Sequence, residues 1–384
     1  APLRMTEFTK LRWLLSAAGL VMYVADVCTD AALVLTYFKE KHVVCAALTL
    51  LFIVVGLLVT QVFSTAWYWD DMDCDEKRED MKTTLPVVSK RGLATLHLFG
   101  VGIFIRYYQM LKRGFGVAWG TVEPVEEIKN QQHFLFGLAA DLSMLRLLEA
   151  FLESVPQLLL QLYIVLGQQE CSLVQLVGMS FSFMNAAWAL VDYRRCLRRS
   201  LPDVRQMPRG LPTAIYLLYK LFTITSRVLG YALLLIFSIY STVGLAIVWL
   251  LGTAWTHRLH TDFCSSQSLE FLYRAIVGVI LTFTFFNVKG QGTRDAMITY
   301  YFLHSLINVL SLLLLFVLRP DLLTLAALLC VSTLMAACSV LGLVCLVLYY
   351  LLLHPTEACR EADEVDGLEI KTRSKGRLRD FLYP

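Results

Sequence analysis

Apolar runs long enough to cross a lipid bilayer recur along most of this chain, and that repetition limits the fold more than any single motif. They cover residues 13–37, 43–69, 93–110, 134–166, 171–193, 213–236, 239–256, 270–288, 299–318 and 322–353. Crossing hydrocarbon takes about 20 apolar residues in a helix. In lipid the backbone must satisfy its own hydrogen bonds, so each run is predicted to be helical. Charged residues make up only 17% of the chain and mean hydropathy is +0.60, which sets it apart from soluble domains. No small-residue cleavage pattern follows the first run, which therefore reads as a retained span. Met5 is expected to be the natural first residue, with Ala1–Arg4 added before it.

The charged connections set the topology. Lys39, Lys41 and Arg319 are the fixed positive charges of the short loops near 38–42, 167–170, 237–239 and 319–321. The longer connections hold Lys77, Arg78, Lys82, Lys90 and Arg91, then Arg194, Arg195, Arg198, Arg199, Arg205 and Arg209. By the positive-inside rule these longer connections and both termini face the cytoplasm. Ten full spans would send several of them outside. If 93–110 and 270–288 dip in and return, every Arg-rich loop becomes cytoplasmic. The expectation is an all-α integral membrane protein with eight transmembrane helices plus two membrane-inserted half-helices in two pseudo-symmetric halves. Residues 5–200 form the first membrane repeat, 211–353 the second, and 354–384 a cytoplasmic tail.

Ionisable groups interrupt the apolar runs. Asp26 and Asp30 share one face of the first predicted helix, four residues apart. Asp141, Glu149 and Glu153 step along another at the same helical spacing, with Arg146 three residues before Glu149. Asp192 and Arg227 lie in or at the ends of further runs, as do Arg106 and Arg274. A charge at the bilayer centre costs about 2.5–3.5 kcal/mol on insertion scales, so these groups must pair, take up protons or line a wet path. One reading is an ion-pair network that fixes helix packing. The other is a polar track for charged groups, which the excess of acids over bases favours. Pro156 follows directly and is expected to kink its helix.

The tail carries Asp363-Glu364-Val365-Asp366-Gly367, the form of an executioner-caspase site, in a polar segment beyond the last apolar run. After it come Lys371, Arg373, Lys375, Arg377 and Arg379, then Phe381-Leu382-Tyr383, a basic-aromatic segment suited to docking on the membrane face. Arg377, Arg379, Phe381 and Leu382 are its expected autoinhibitory contacts. No phosphate-binding loop, His-Glu-x-x-His, Gly-x-Ser-x-Gly or Cys/His metal spacing occurs, so neither ATP coupling nor hydrolysis is expected and no cofactor or metal is called for. The ten cysteines mostly lie in apolar runs, where Cys acts as a small hydrophobe.

The stretch Asp141–Tyr163 resembles the signature of the XK-related membrane proteins. Tyr23-Val24-Ala25-Asp26 with Asp30, Trp188–Arg195, Phe285-Phe286-Asn287-Val288-Lys289, and Tyr349-Tyr350 with His354-Pro355 resemble it also. With the caspase-type pentapeptide, the resemblance is to the caspase-activated branch. It implies a plasma-membrane phospholipid scramblase that is no enzyme, needs no ATP, and exposes phosphatidylserine on apoptotic cells after caspase cleavage. The implied headgroup path includes Asp26, Asp30, Glu149, Glu153 and Arg227. The implied partners are phospholipids, an executioner caspase, and a single-span immunoglobulin-type subunit such as basigin or neuroplastin, with no nucleic acid. A secondary transporter using the carboxylates as proton or cation sites, and a structural membrane subunit, are the rival expectations.

Overall fold

A computed structural model describes residues 8–76, 90–120, 125–168, 173–200, 210–259, 261, 263–264, 266–288, 294–318 and 324–353. The first half of the chain supplies α1 (Lys10–Lys39), α2 (Val43–Glu76), α3 (Lys90–Leu98), α4 (Gly102–Trp119), α5 (Val125–Glu149), α6 (Val155–Gln168) and α7 (Leu173–Ser200). The second half supplies α8 (Leu211–Phe237), α9 (Ser241–Arg258), α10 (Gln267–Phe283), α11 (Arg294–Leu318) and α12 (Leu325–Leu348). π-Helical turns cover Ala150–Ser154 and Tyr349–Leu353. No strand occurs among the described residues.

The protein is an all-α membrane protein. Five helical segments among the described residues are long and apolar enough to cross a bilayer: Lys10–Lys39, Val43–Asp70, Leu211–Phe237, Asp295–Leu318 and Ala326–Leu353. Only 6% of the apolar window of α1 is buried by protein, so Leu14, Leu15, Val21, Val24 and Leu35 need lipid around them.

The chain divides into two compact units, Ala1–Glu153 with Asp192–Ser200, and Ser154–Val191 with Leu201–Pro384. In the first, α1 packs on α2 and α4, and α5 packs on α2 and α4. Its core holds Tyr23, Ile103, Tyr107, Met110, Leu135, Leu138 and Leu142. In the second, α6, α11 and α12 pack on α8, and α9 packs on α10. An aromatic core forms there from Tyr216, Tyr219, Phe285, Tyr301 and Tyr349.

Both segments expected to dip into the membrane are broken or stop short, and in each case side chains take over the freed backbone groups. The expected half-helix 93–110 is two helices joined at Gly100, whose φ of 77° suits glycine. Gln61 of α2 spans the break: its Nε2 donates to the Gly100 carbonyl at 3.3 Å, and its Oε1 accepts from the Gly102 N–H at 2.9 Å. The expected half-helix 270–288 is helical only as far as Phe283. The hydroxyl of Tyr300 donates to the Leu281 carbonyl at 2.8 Å, and that of Tyr231 to the Thr282 carbonyl at 2.9 Å. Lys220 Nζ donates to the Phe285 carbonyl at 2.6 Å. The last carbonyls of a helix have no partner within it. At membrane depth such groups are tolerated only when other protein groups or a water-filled cavity meet them.

Candidate functional site

Helical spacing brings the acids of the first unit together. On α1, Gly19, Tyr23, Asp26 and Asp30 follow one face at steps of three or four. Gly19 lets the Tyr107 hydroxyl approach, since a Cβ there would lie 3.1 Å from it. Tyr23 is buried against Phe104 and Tyr107. The guanidinium of Arg146 lies 5.0 Å from the Tyr23 ring centre. Its Nη1 donates to Glu149 Oε2 at 2.7 Å, and its Nη2 lies 3.7 Å from Asp26 Oδ2. The carboxyls of Asp30 on α1 and Glu153 lie beside each other.

Four carboxyls thus gather about one guanidinium among apolar helices. Glu149 and Glu153 are buried by protein, while Asp26 keeps 24% of its side chain exposed. A fully paired structural network would carry matching numbers of acids and bases. Here the acids outnumber the base.

The expected stripe divides at two points. Asp141 is taken up by Arg106, whose Nη1 donates to its Oδ2 at 3.0 Å. Arg106 is 1% exposed; its Nε donates to Ser64 Oγ at 2.9 Å, and its guanidinium lies 4.1 Å from the Tyr68 ring centre. His97 completes this cluster. Its Nδ1 donates to the Leu93 carbonyl at 2.8 Å, and its Nε2 lies 2.9 Å from the Ser64 hydroxyl. Arg106 thus joins Asp141 of α5 to Ser64 of α2. Sequence reading noted Arg106 as ionisable without seeing it as the partner of Asp141. Its position inside an apolar run was the available signal.

The second division is the π turn at Ala150–Ser154, where a sharp kink was expected. Pro156 has no N–H to give the Leu152 carbonyl, and its ring crowds that turn. A π turn relieves this by widening the helix, and such turns are frequent at functional sites. Glu153 lies within it.

Asp192, on α7, accepts from Cys196 Sγ at 3.8 Å, with Arg195 and Arg199 contributing positive charge nearby. Arg227 belongs to the second unit, where its Nη1 donates to the His304 carbonyl and to Asn308 Oδ1. The pentapeptide 363–367 and the tail residues Arg377, Arg379, Phe381 and Leu382 lie outside the described residues. Among the described residues, no three His, Cys, Asp or Glu side chains are grouped to hold a metal ion.

Comparison with known proteins agrees with this architecture. A family model described as "XK-related protein" matches residues 14–355. XK-related protein 8 of Pan troglodytes is 34% identical over 358 residues, covering 92% of this chain and 87% of that protein. XK-related protein 8 of Gasterosteus aculeatus is 32% identical over 312 residues, covering 78% and 73%. XK-related protein 8 of Tetraodon nigroviridis is 35% identical over 255 residues, covering 65% and 61%. Read from the sequence, Lys289-Gly290-Gln291-Gly292 and the closing Arg377–Leu382 lean toward the ninth member of that family, with the eighth next; these relatives carry the eighth member's name.

Proposed function

The chain belongs to the XK-related family of multi-pass membrane proteins, and from that premise we propose that it is a caspase-activated phospholipid scramblase. The observation that carries this reading is the group of four carboxyls, Asp26, Asp30, Glu149 and Glu153, about the single guanidinium of Arg146. Such a group attracts the positive part of a zwitterionic or serine headgroup while the acyl chains stay in lipid. Movement needs no ATP, because it runs down the lipid gradient. The protein is then a gate rather than an enzyme. It sits in the plasma membrane with both termini in the cytoplasm.

Its control is the tail. The basic-aromatic segment 367–384 docks on the cytoplasmic face through Arg377, Arg379, Phe381 and Leu382. Cleavage after Asp366 by an executioner caspase turns a tethered contact into a bimolecular one. The segment then loses its high effective concentration and leaves. Phosphatidylserine moves to the outer leaflet. A single-span partner of the basigin or neuroplastin kind would accompany the chain.

The purified protein, reconstituted with fluorescent lipid, tests this before and after caspase treatment. Transfer should begin only after cleavage, fail in Asp366→Ala, and fall in cleaved Glu149→Gln/Glu153→Gln. Transfer that ignores cleavage removes the gate. Unchanged transfer in the folded double variant removes the track. The neighbouring carboxyls of Asp30 and Glu153 favour one other reading, a proton-coupled transporter, whose signature would be pH-driven solute uptake without lipid transfer.

A further inference from the structure

Arg227 is a buried guanidinium whose neighbours differ from those of Arg106, Arg146 and Arg274. It is 5% exposed on α8, and its partners are the His304 carbonyl at 3.2 Å, Asn308 Oδ1 at 3.3 Å and the Tyr231 ring at 5.5 Å. All are neutral. Arg106, Arg146 and Arg274 each pair with a carboxylate, whereas none pairs with Arg227 among the described residues. A buried charge left with neutral partners is costly and calls for a counter-charge.

Beside it lies a cavity of about 20 Å³, lined by Arg227, Ser226, Tyr300, Ser305 and Asn308 among others. Its hydroxyl protons can be followed. Ser339 donates to the Met335 carbonyl, so Ser226 donates to Ser339, and Tyr300 donates to the Leu281 carbonyl. Asn308 Nδ2 spends one proton on Ser226 and keeps another. The Ser305 hydroxyl has no hydrogen-bond partner among the described residues, and Arg227 has further N–H groups. What remains is a set of spare donors around a cation, which is anion-binding chemistry.

We propose that this cavity binds a single chloride ion as the counter-charge of Arg227. A space of about 20 Å³ holds one water-sized occupant. A monatomic anion fits. Water would fill the space without neutralising the guanidinium. The family resemblance also puts Arg227 on the headgroup path, and chloride binding is measured without lipid transfer.

The test uses the full chain in detergent, with its unfolding midpoint followed in sodium chloride, bromide, gluconate and phosphate at equal ionic strength. Chloride and bromide should raise the midpoint saturably over gluconate and phosphate, as a ligand of the native state does. Ser305→Ala should raise the chloride concentration for half-effect about tenfold, the loss of one charge-assisted hydrogen bond. Chloride NMR lines should broaden with wild type and stay narrow with Arg227→Gln. If Arg227→Gln does not fold, Ser305→Ala carries the test alone. Equal midpoints in chloride and gluconate, with narrow lines, would mean water in the cavity and overturn the proposal. Phosphate matching chloride would overturn it as well.

Discussion

Glu153 lies against Gly56 with no room for a methyl group between them. A Cβ at Gly56 would stand 2.7 Å from Glu153 Oε2 and 3.1 Å from its Cβ. The glycine of α2 is therefore what lets the π turn bring its carboxyl to this depth. Gly56→Val should cost about 1–3 kcal/mol by overpacking. If the acidic group is the lipid track, the variant should also slow transfer more than its fall in unfolding midpoint accounts for. Measuring both in one preparation separates displacement of Glu153 from general loosening.

Arg106 and Asp141 make a second prediction. Arg106→Met leaves Asp141 facing apolar helices without its cation and should cost about 3–5 kcal/mol. The double variant Arg106→Met/Asp141→Leu should recover most of that loss, since it removes both charges together. Thermal unfolding in detergent checks the cycle. No recovery would mean that Asp141 has a role outside this pair.

The Gln61 bridge makes a third. Gln61→Leu leaves the Gly102 N–H and the Gly100 carbonyl without their partner, and an unsatisfied buried backbone group costs about 1–3 kcal/mol. Hydrogen exchange at Gly102 should quicken in the variant while α1 is unaffected. Equal exchange in both would show that the break between α3 and α4 holds without α2.

The crossing of α9 and α10 makes a fourth. A Cβ at Gly278 would come within 2.9 Å of the Thr253 nitrogen and 3.1 Å of the Trp249 carbonyl, and backbone atoms cannot step aside. Trp249 Nε1 also donates to the Ala275 carbonyl at 2.9 Å across the same crossing. Gly278→Leu should push the helices apart and lower the unfolding midpoint, whereas Gly244→Leu, where nothing lies within 4 Å, should not.

Much of the helical layout was legible because lipid forces a simple rule: a long apolar run must become a helix. The acidic group was also legible, since the spacing of Asp26 with Asp30 and of Arg146 with Glu149 fixes a shared face. What lay beyond sequence reading were the pairings between helices. Nothing in the spacing shows that Arg106 reaches Asp141 rather than the acids of α1, or that Gln61 meets a break 39 residues away. Those depend on which helix faces which, and that is decided by small residues such as Gly19 and Gly56 through close approach rather than by any periodicity. The π turn escaped for a related reason. Pro156 announces that a hydrogen bond is missing, but whether the helix bends or widens depends on the neighbours that receive it.

That widening has a consequence for how the helix tolerates change in length. A π turn places one residue more in the turn than an α-helix does, and each residue advances a regular helix by about 100°. Deleting one residue within Ala150–Ser154 should thus close the turn into regular helix and leave the faces on either side aligned with their present neighbours. The same deletion a turn earlier or later would swing every following side chain away from its contact. The turn is a built-in slack of one residue, so a single-residue deletion there has a structural remedy.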